Sequence, residues 1–447
     1  MEIRQKLKNF IKNKWAGLCR HTHYVLLGIP FVLALAGLVL GVTAVIRINQ
    51  ILDRQSFQYV AERYESKVMP YRQMTVLGPG LSQGDGSAPR CTEEGLNIDK
   101  IKQLHETLDI TERSTIGDTN SKGQGKGSVL VNPWKDCYST TATYSAIGRI
   151  NKEETGTVDS CEVVGVGGDY ASLHSFIYES GGFLQQDDPG RLSIVLNTQM
   201  AWNLFRSYEV LGAFVEINGT VYSVVGVVND GTDELSETVG ATKPRAYIQF
   251  SQLASLANGG YVPQTSMETD AAVKEADLAV TCYEVLLMDP INNIAFNDLK
   301  KALTDSVGYS EDTSKLVLIN NTDRFNVISL YKKYFPLKKS YAGGDGISVP
   351  FYERSARLAE QYVVFWAEAL VVAIFFVIVG GCNIYAIFHG KDPRHKKEEA
   401  DLVDLIHFLV FPTGIPGENP YSSGAMASAG QTPAQVPQSM QMFGSML

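Results

Sequence analysis

Two uncharged runs bracket this 447-residue chain and decide most of what it can become. From Tyr24 to Ile46, 23 residues pass without a charged side chain. At about 1.5 Å per residue a helix of that length crosses about 30 Å of hydrocarbon. A cleaved leader would carry a shorter apolar core and a small-x-small site, whereas Arg47 and Gln50 follow here, so an uncleaved anchor is expected. A second span covers residues 362–388, most apolar from Ala369 to Gly381, with Tyr362, Phe365 and Trp366 placed for the membrane interface. Glu368 falls in its first turns, at headgroup level or against another membrane helix.

Charge orients the two spans. Residues 1–23 hold Arg4, Lys6, Lys8, Lys12, Lys14 and Arg20 against the single acid Glu2, and Lys391, Arg394, Lys396 and Lys397 follow the second span. Positive flanks stay in the cytoplasm. Both termini are therefore expected inside, with residues 47–361 exported. The net charge of −9 lies largely in that exported part, which argues against nucleic acid as a partner. A hydrophobic content of 45% is ordinary for a chain with a real core.

Between the spans the periodicity is mixed. Ile51 to Val68 reads as a helix continuing out of the membrane, ended by Pro70. Residues 78–127 hold a short helical stretch, Ile98 to Leu108, between Gly- and Ser-rich flanks, and are expected to be an insertion. The clearest signal runs from Arg191 to Gln249. An apolar run, Leu192 to Leu196, passes into a segment with Met200, Ala201, Leu204 and Phe205 at helical spacing. Two β-rich runs follow, Phe214 to Ile217 and Val221 to Val228, separated at Asn218-Gly219, residues that tolerate a tight hairpin turn. KPRAYIQF then supplies a closing strand.

This order resembles the periplasmic core domain of MacB-type ABC-transporter permeases, related to the FtsX group. Leu204-Phe205, Leu211-Gly212, Val215 to Gly219, Tyr222 to Val227 and Tyr247 to Ala254 match the family's motifs, and Gly212, Asn218, Gly219 and Gly226 are its structural positions. Val163 to Tyr170, Gly182 to Asp188 and Glu284 to Leu303 extend the likeness to roughly residues 160–305. The resemblance implies an α+β fold in two exported lobes between the transmembrane helices. One is a βαβ-rich, porter-like lobe and the other a smaller β-rich lobe at residues 191–255. MacB-type permeases have four membrane helices, three of them after the exported domain, while a single span and a polar tail are expected here.

Chemical signals are sparse. Cys91, Cys137, Cys161 and Cys282 fall in the exported part, where up to two disulfides are expected; three connectivities exist, and Cys161 with Cys282 and Cys91 with Cys137 is the preferred set. Cys19 with His21 and His23 abuts the membrane, where snorkelling outweighs metal binding. His174 has no nucleophile motif beside it and reads as a structural histidine. Gly123 to Ser128 lacks the Gly-Lys-Ser/Thr order of a phosphate loop, and Gly165 to Gly168 reads as a strand turning into a loop. No catalytic set, metal site or cofactor is expected.

Beyond the second span, residues 389–411 form an expected amphipathic helix with Leu402, Leu405, Ile406 and Leu409 on one face. Its occupant is a partner groove, the membrane surface or another copy in a homo-oligomer. Residues 412–447 are rich in Pro, Gly, Ser, Gln and Met and are expected to be disordered. The expected function is a non-enzymatic membrane subunit of a MacB-like ABC assembly, served by an ATP-binding subunit and contacting substrate or an envelope protein. The alternative is a structural or sensory envelope protein that uses the domain as a binding module.

Overall fold

A computed structural model describes residues 2–64, 69–81, 88–121, 134–185, 191–231, 234–258, 273–310, 314–334 and 349–389. The chain forms two compact units. In the first, made of residues 1–27 and 381–447, the described residues are helical. The second, Gly28–Gly380, contains the sheet.

In chain order the elements are α1 (Glu2–Asp53), α2 (Val60–Tyr64), β1 (Tyr71–Leu77), β2 (Gly80–Leu81), β3 (Arg90–Cys91), α3 (Ile98–Ser121), β4 (Lys135–Ile150) and β5 (Glu153–Gly168). They continue with α4 (Tyr170–Leu173), β6 (Ile177–Gly181), β7 (Ser193–Asn197), α5 (Thr198–Phe205), β8 (Phe214–Ile217), β9 (Thr220–Asn229), α6 (Glu234–Thr238), β10 (Arg245–Gln249) and α7 (Phe250–Ala257). Last come β11 (Cys282–Met288), α8 (Ile294–Val307), β12 (Val317–Asn320), α9 (Val327–Tyr334) and α10 (Phe351–His389).

Ten strands make one mixed sheet in the order β12-β1-β11-β4-β5-β10-β7-β9-β6, with β8 pairing β4 and β9. The strands of residues 191–255 thus share one hydrogen-bonded sheet with the rest of the domain. Neighbouring residues of the central strands face opposite sides, as the period of two requires. Val163, Ile194, Ile248 and Leu287 join the larger core with Leu104 and Leu108 of α3, Leu204 of α5, Leu253 of α7 and Leu299 of α8. Val164, Val195, Tyr247 and Leu286 join a second core under Tyr170, Leu173, Val60 and Ala61. Buried on both faces, these strands read in sequence as nearly continuous apolar runs.

The segment from 191 to 249 folds as its spacing predicts. The Asn197 side chain accepts from the Met200 N–H at 2.9 Å and caps α5, and Arg206 ends it in the left-handed region at φ 57. Asn218 and Gly219 both adopt positive φ, 46 and 80, giving the two-residue turn between β8 and β9.

One expectation needs correction. The helix from Ile51 to Val68 breaks after Asp53, because Gln55 and Gln58 close tight turns that carry Phe57 inward onto Tyr352 and His174. The helical stretch expected at Ile98 to Leu108 is longer in the structure and packs into the domain. Ile98, Ile101, Leu104 and Leu108 lie in the main core, and α3 runs on past Leu108, held by an Asp109–Arg113 pair and by Glu112, which accepts from the Met288 N–H.

Two helices are long and apolar enough to cross a membrane, Gly28–Asp53 and Phe351–Ile387, each with mean hydropathy 2.6. They pack closely. A Cβ at Gly37 would meet the Ala373 carbonyl oxygen at 2.7 Å, Gly41 faces Ala373 and Leu370, and Gly380 lies against Pro30 and Ala34. Gly37-x-x-x-Gly41 is thus a small-residue seam that lets two membrane helices approach.

Candidate functional site at the junction of helices and sheet

At 39 residues, α10 is about 58 Å long, nearly twice the hydrocarbon thickness. Its first turns leave the apolar zone and enter the folded domain. Arg324, two positions before α9's preceding turn ends, is buried between two α10 carboxylates: its Nη2 donates to Glu353 Oε1 at 2.8 Å and its Nε to Glu360 Oε1 at 2.6 Å. Lys333 of α9 adds a contact to Glu360 at 2.9 Å, and Ser236 of α6 donates to Ser355 at 3.2 Å. Around these polar groups, Ala356, Ala359, Val363 and Val364 pack with Phe325, Leu330 and the Ile48, Ile51 and Leu52 end of α1.

A second buried network faces the same helix. Arg245 of β10 pairs with Asp230 at 2.7 Å and Glu162 at 2.6 Å, and its guanidinium lies 4.1 Å from the Phe351 ring centroid. Burial works against the charged guanidinium, but Asp230 and Glu162 more than offset it and hold the group above its ordinary value. Tyr247 donates to the same Asp230 at 2.7 Å.

Between these networks lies an aromatic chamber. Tyr170 stacks on the His174 ring at 3.9 Å, Phe57 stacks on Tyr352 at 5.4 Å, and Phe176 and Phe183 complete the wall. Three donors converge inside it: Cys137 of β4, Glu284 of β11 and His174, just past α4, all buried and with ligand atoms within 4.8 Å of one another. Cys137 and Glu284 are cross-strand partners. The His174 Nδ1 lies 3.0 Å from the Tyr170 carbonyl and donates to it; its Nε2 sits 3.0 Å from Glu284 Oε2, off the line a hydrogen bond needs. Tyr352 donates to Glu284 Oε2 at 3.3 Å, and Cys282 Sγ lies 3.5 Å from the Tyr352 hydroxyl. Burial, then the Glu284 carboxylate, push the Cys137 and Cys282 thiols well above their ordinary range.

The expected disulfides are not formed; Cys91, Cys137, Cys161 and Cys282 are free thiols. Cys161 on β5 lies nearest Tyr144 of β4, while Cys282 on β11 faces Ser139 of the same strand. With β4 between them, two strand spacings of about 4.8 Å already exceed the roughly 7 Å limit for a bridge. Cys91 instead donates toward the carbonyls of Thr92 and Leu96, and Cys137 faces Glu284.

The motif glycines have structural places. Gly212 adopts φ 78 and donates to the Val224 carbonyl at 2.9 Å. Gly226 pairs with Gly181 of β6 and Val195 of β7, and a Cβ there would lie 2.0 Å from the Gly182 carbonyl oxygen. Asn218 and Gly219 form the turn of the β8–β9 hairpin. Leu402, Leu405, Ile406 and Leu409, the cytoplasmic helix and the tail lie outside the described residues. So do Gly123 to Ser128 and the side chains of Cys19, His21 and His23. Sequence reasoning missed the Cys137, His174 and Glu284 convergence because no local motif carries it: Cys137 and Glu284 stand 147 positions apart and meet only through strand register.

Two helices long and apolar enough to cross a membrane run into one mixed α/β domain, the outline of a membrane-associated protein. The chain belongs to the family of the MacB-like periplasmic core domain, whose match covers residues 31–280, more than half of the 447. The match begins inside α1 and reaches residue 280, so it extends well upstream of the resembling motifs but not over β11 and α8. Among solved structures, the periplasmic region of MacB from Actinobacillus actinomycetemcomitans is similar at 17% identity, over 60% of this chain and 95% of that one, with a TM-score of 0.35. The extracellular domain of the noncanonic ABC-type transporter YknZ from Gram-positive bacteria is similar at 15% identity, over 56% and 100%, with a TM-score of 0.32. No curated protein matches the chain. Family membership makes the domain extracytoplasmic and the protein one of the ABC-transporter permease type.

Proposed function

We propose that this chain is a non-enzymatic membrane subunit of a MacB-like ABC transporter or mechanotransmission assembly. In this reading both termini are cytoplasmic, residues 47–361 are exported, and that exported domain contacts substrate or an envelope partner. An ATP-binding subunit on the cytoplasmic side, met by residues 389–411, supplies the motion. The observation that carries the reading is the continuity of α10. One helix extends without a break from an apolar span into the buried Arg324–Glu353–Glu360 network. A tilt of that helix therefore acts directly on the domain, as coupling between two distant sites requires.

The test is purification of the full chain in mild detergent, with identification of the bound chains. An ATP-binding protein is expected to accompany it and to be lost when residues 398–447 are removed. Recovery of the chain alone, under conditions that preserve other membrane complexes, overturns the reading in favour of a stand-alone structural or sensory protein.

A further inference from the structure

We propose that Cys137, His174 and Glu284 form a buried binding site for a thiophilic divalent cation of the zinc type, set where the two membrane helices enter the domain. The argument starts from His174. The residue is 3% exposed, and with Nδ1–H given to the Tyr170 carbonyl, Nε2 is left facing the Glu284 carboxylate. That nitrogen has no hydrogen-bond partner, although a carboxylate oxygen lies 3.0 Å away. Two acceptors side by side in an apolar chamber repel each other unless something positive lies between their lone pairs.

The distances suit a metal. Tetrahedral zinc with ordinary bond lengths separates nitrogen from oxygen by about 3.3 Å and sulfur from oxygen by about 3.6 Å. The corresponding separations here are 3.0 Å and 3.7 Å. Thiolate, imidazole and carboxylate together select zinc over magnesium or calcium, which take oxygen. The Tyr170 carbonyl on Nδ1–H and the Tyr352 hydroxyl on Glu284 are the outer hydrogen bonds that orient metal ligands. Cys282, two residues from Glu284 on the same face of β11, lines the chamber as a further sulfur. Ligation replaces the Cys137 S–H bond with a sulfur–metal bond and releases the proton to solvent.

The position gives the site a consequence. Tyr352 belongs to the first turn of α10, and Phe57 follows the end of α1. A cation here ties β4 and β11 to the roots of both helices and stiffens the joint between them.

The test uses the full chain in detergent, stripped with a chelator and titrated with zinc or cobalt alone. Expected are one bound ion per chain, a thiolate-to-cobalt charge-transfer band in the near ultraviolet, about one proton released per ion at neutral pH, and a raised unfolding temperature. Cys137→Ser and His174→Gln abolish stoichiometric binding, whereas Cys91→Ser retains it. Absence of a saturable cobalt band in the wild-type chain overturns the site, as does a Cys137→Ser variant that keeps its thermal transition and still binds one ion. No partner chain enters these measurements, so their failure is distinct from failure of the transport reading.

Discussion

Glu112 brings a carboxylate into the seam between α3 and β11, where it is 1% exposed and accepts only a 3.3 Å hydrogen bond from the Met288 N–H. Burial, with the negative charges of Asp298 and Asp289 adding to it, raises the group from 4.5 to about 7. A folded-state value above the unfolded one means the native state holds the proton more tightly. The associated stability is complete below the unfolded value and drains away as pH climbs from 4.5 through about 7. The span corresponds to roughly 3 kcal/mol at most. Glu112→Gln keeps the acceptor and removes the charge, so it should stabilise the protein by about 1–3 kcal/mol near pH 8 and by little near pH 4. Unfolding free energies of wild type and variant at the two pH values check this; an equal difference at both contradicts it. His105 acts in the same direction: its hydrogen bond to Asp136 raises its value, so what it contributes also fades on the alkaline side.

At the scale of elements, the attachment of α10 is the point to probe. Arg324 and both its carboxylate partners are almost fully buried, whereas Lys333, which touches the same Glu360, is half exposed. Arg324→Met removes the buried cation that Glu353 and Glu360 share, leaving Arg357 on the first and the half-exposed Lys333 on the second, and should cost about 3–5 kcal/mol. Lys333→Ala should cost about 0–1 kcal/mol, since water screens that contact. Thermal unfolding of the two variants in detergent separates the cases, and equal shifts would mean that burial is not what matters at this joint.

The same elements show what could be read in advance. The α5 helix and the β8–β9 hairpin were legible because Asn197, Met200, Leu204 and Asn218-Gly219 carry local rules of capping, spacing and turn chemistry. The helix break at Phe57 was not, because tertiary packing of one ring against Tyr352 and His174 overrides a helical pattern. The disulfide expectation failed for a related reason: even cysteine number says nothing of strand order, and β4 lies between two of the four. His174 reads as an ordinary core histidine, and only register and burial reveal an Nε2 without a hydrogen-bond partner.

For the whole molecule, the proposed topology makes one sharp prediction. Ile110 on α3 is 70% exposed, so Ile110→Cys should react with a membrane-impermeant thiol reagent in intact cells. Ser428→Cys should react only after lysis, each measured against the unsubstituted chain. The reverse pattern would place the domain in the cytoplasm and remove the basis for motion passed outward.

The long β4 strand gives that motion a path. Cys137, near its start, sits in the chamber beside the helix roots, and Arg149, near its end, is bound to Glu216 of β8 at 2.6 Å. A hydrogen-bonded strand bends but does not stretch, and these positions are separated by roughly 40 Å of contour. Under the proposed mechanotransmission reading, a push at the foot of the domain travels along β4 toward the hairpin, through register shifts at Tyr144/Ala146 and Gly148/Arg149, as a jointed rod carries a stroke from base to tip.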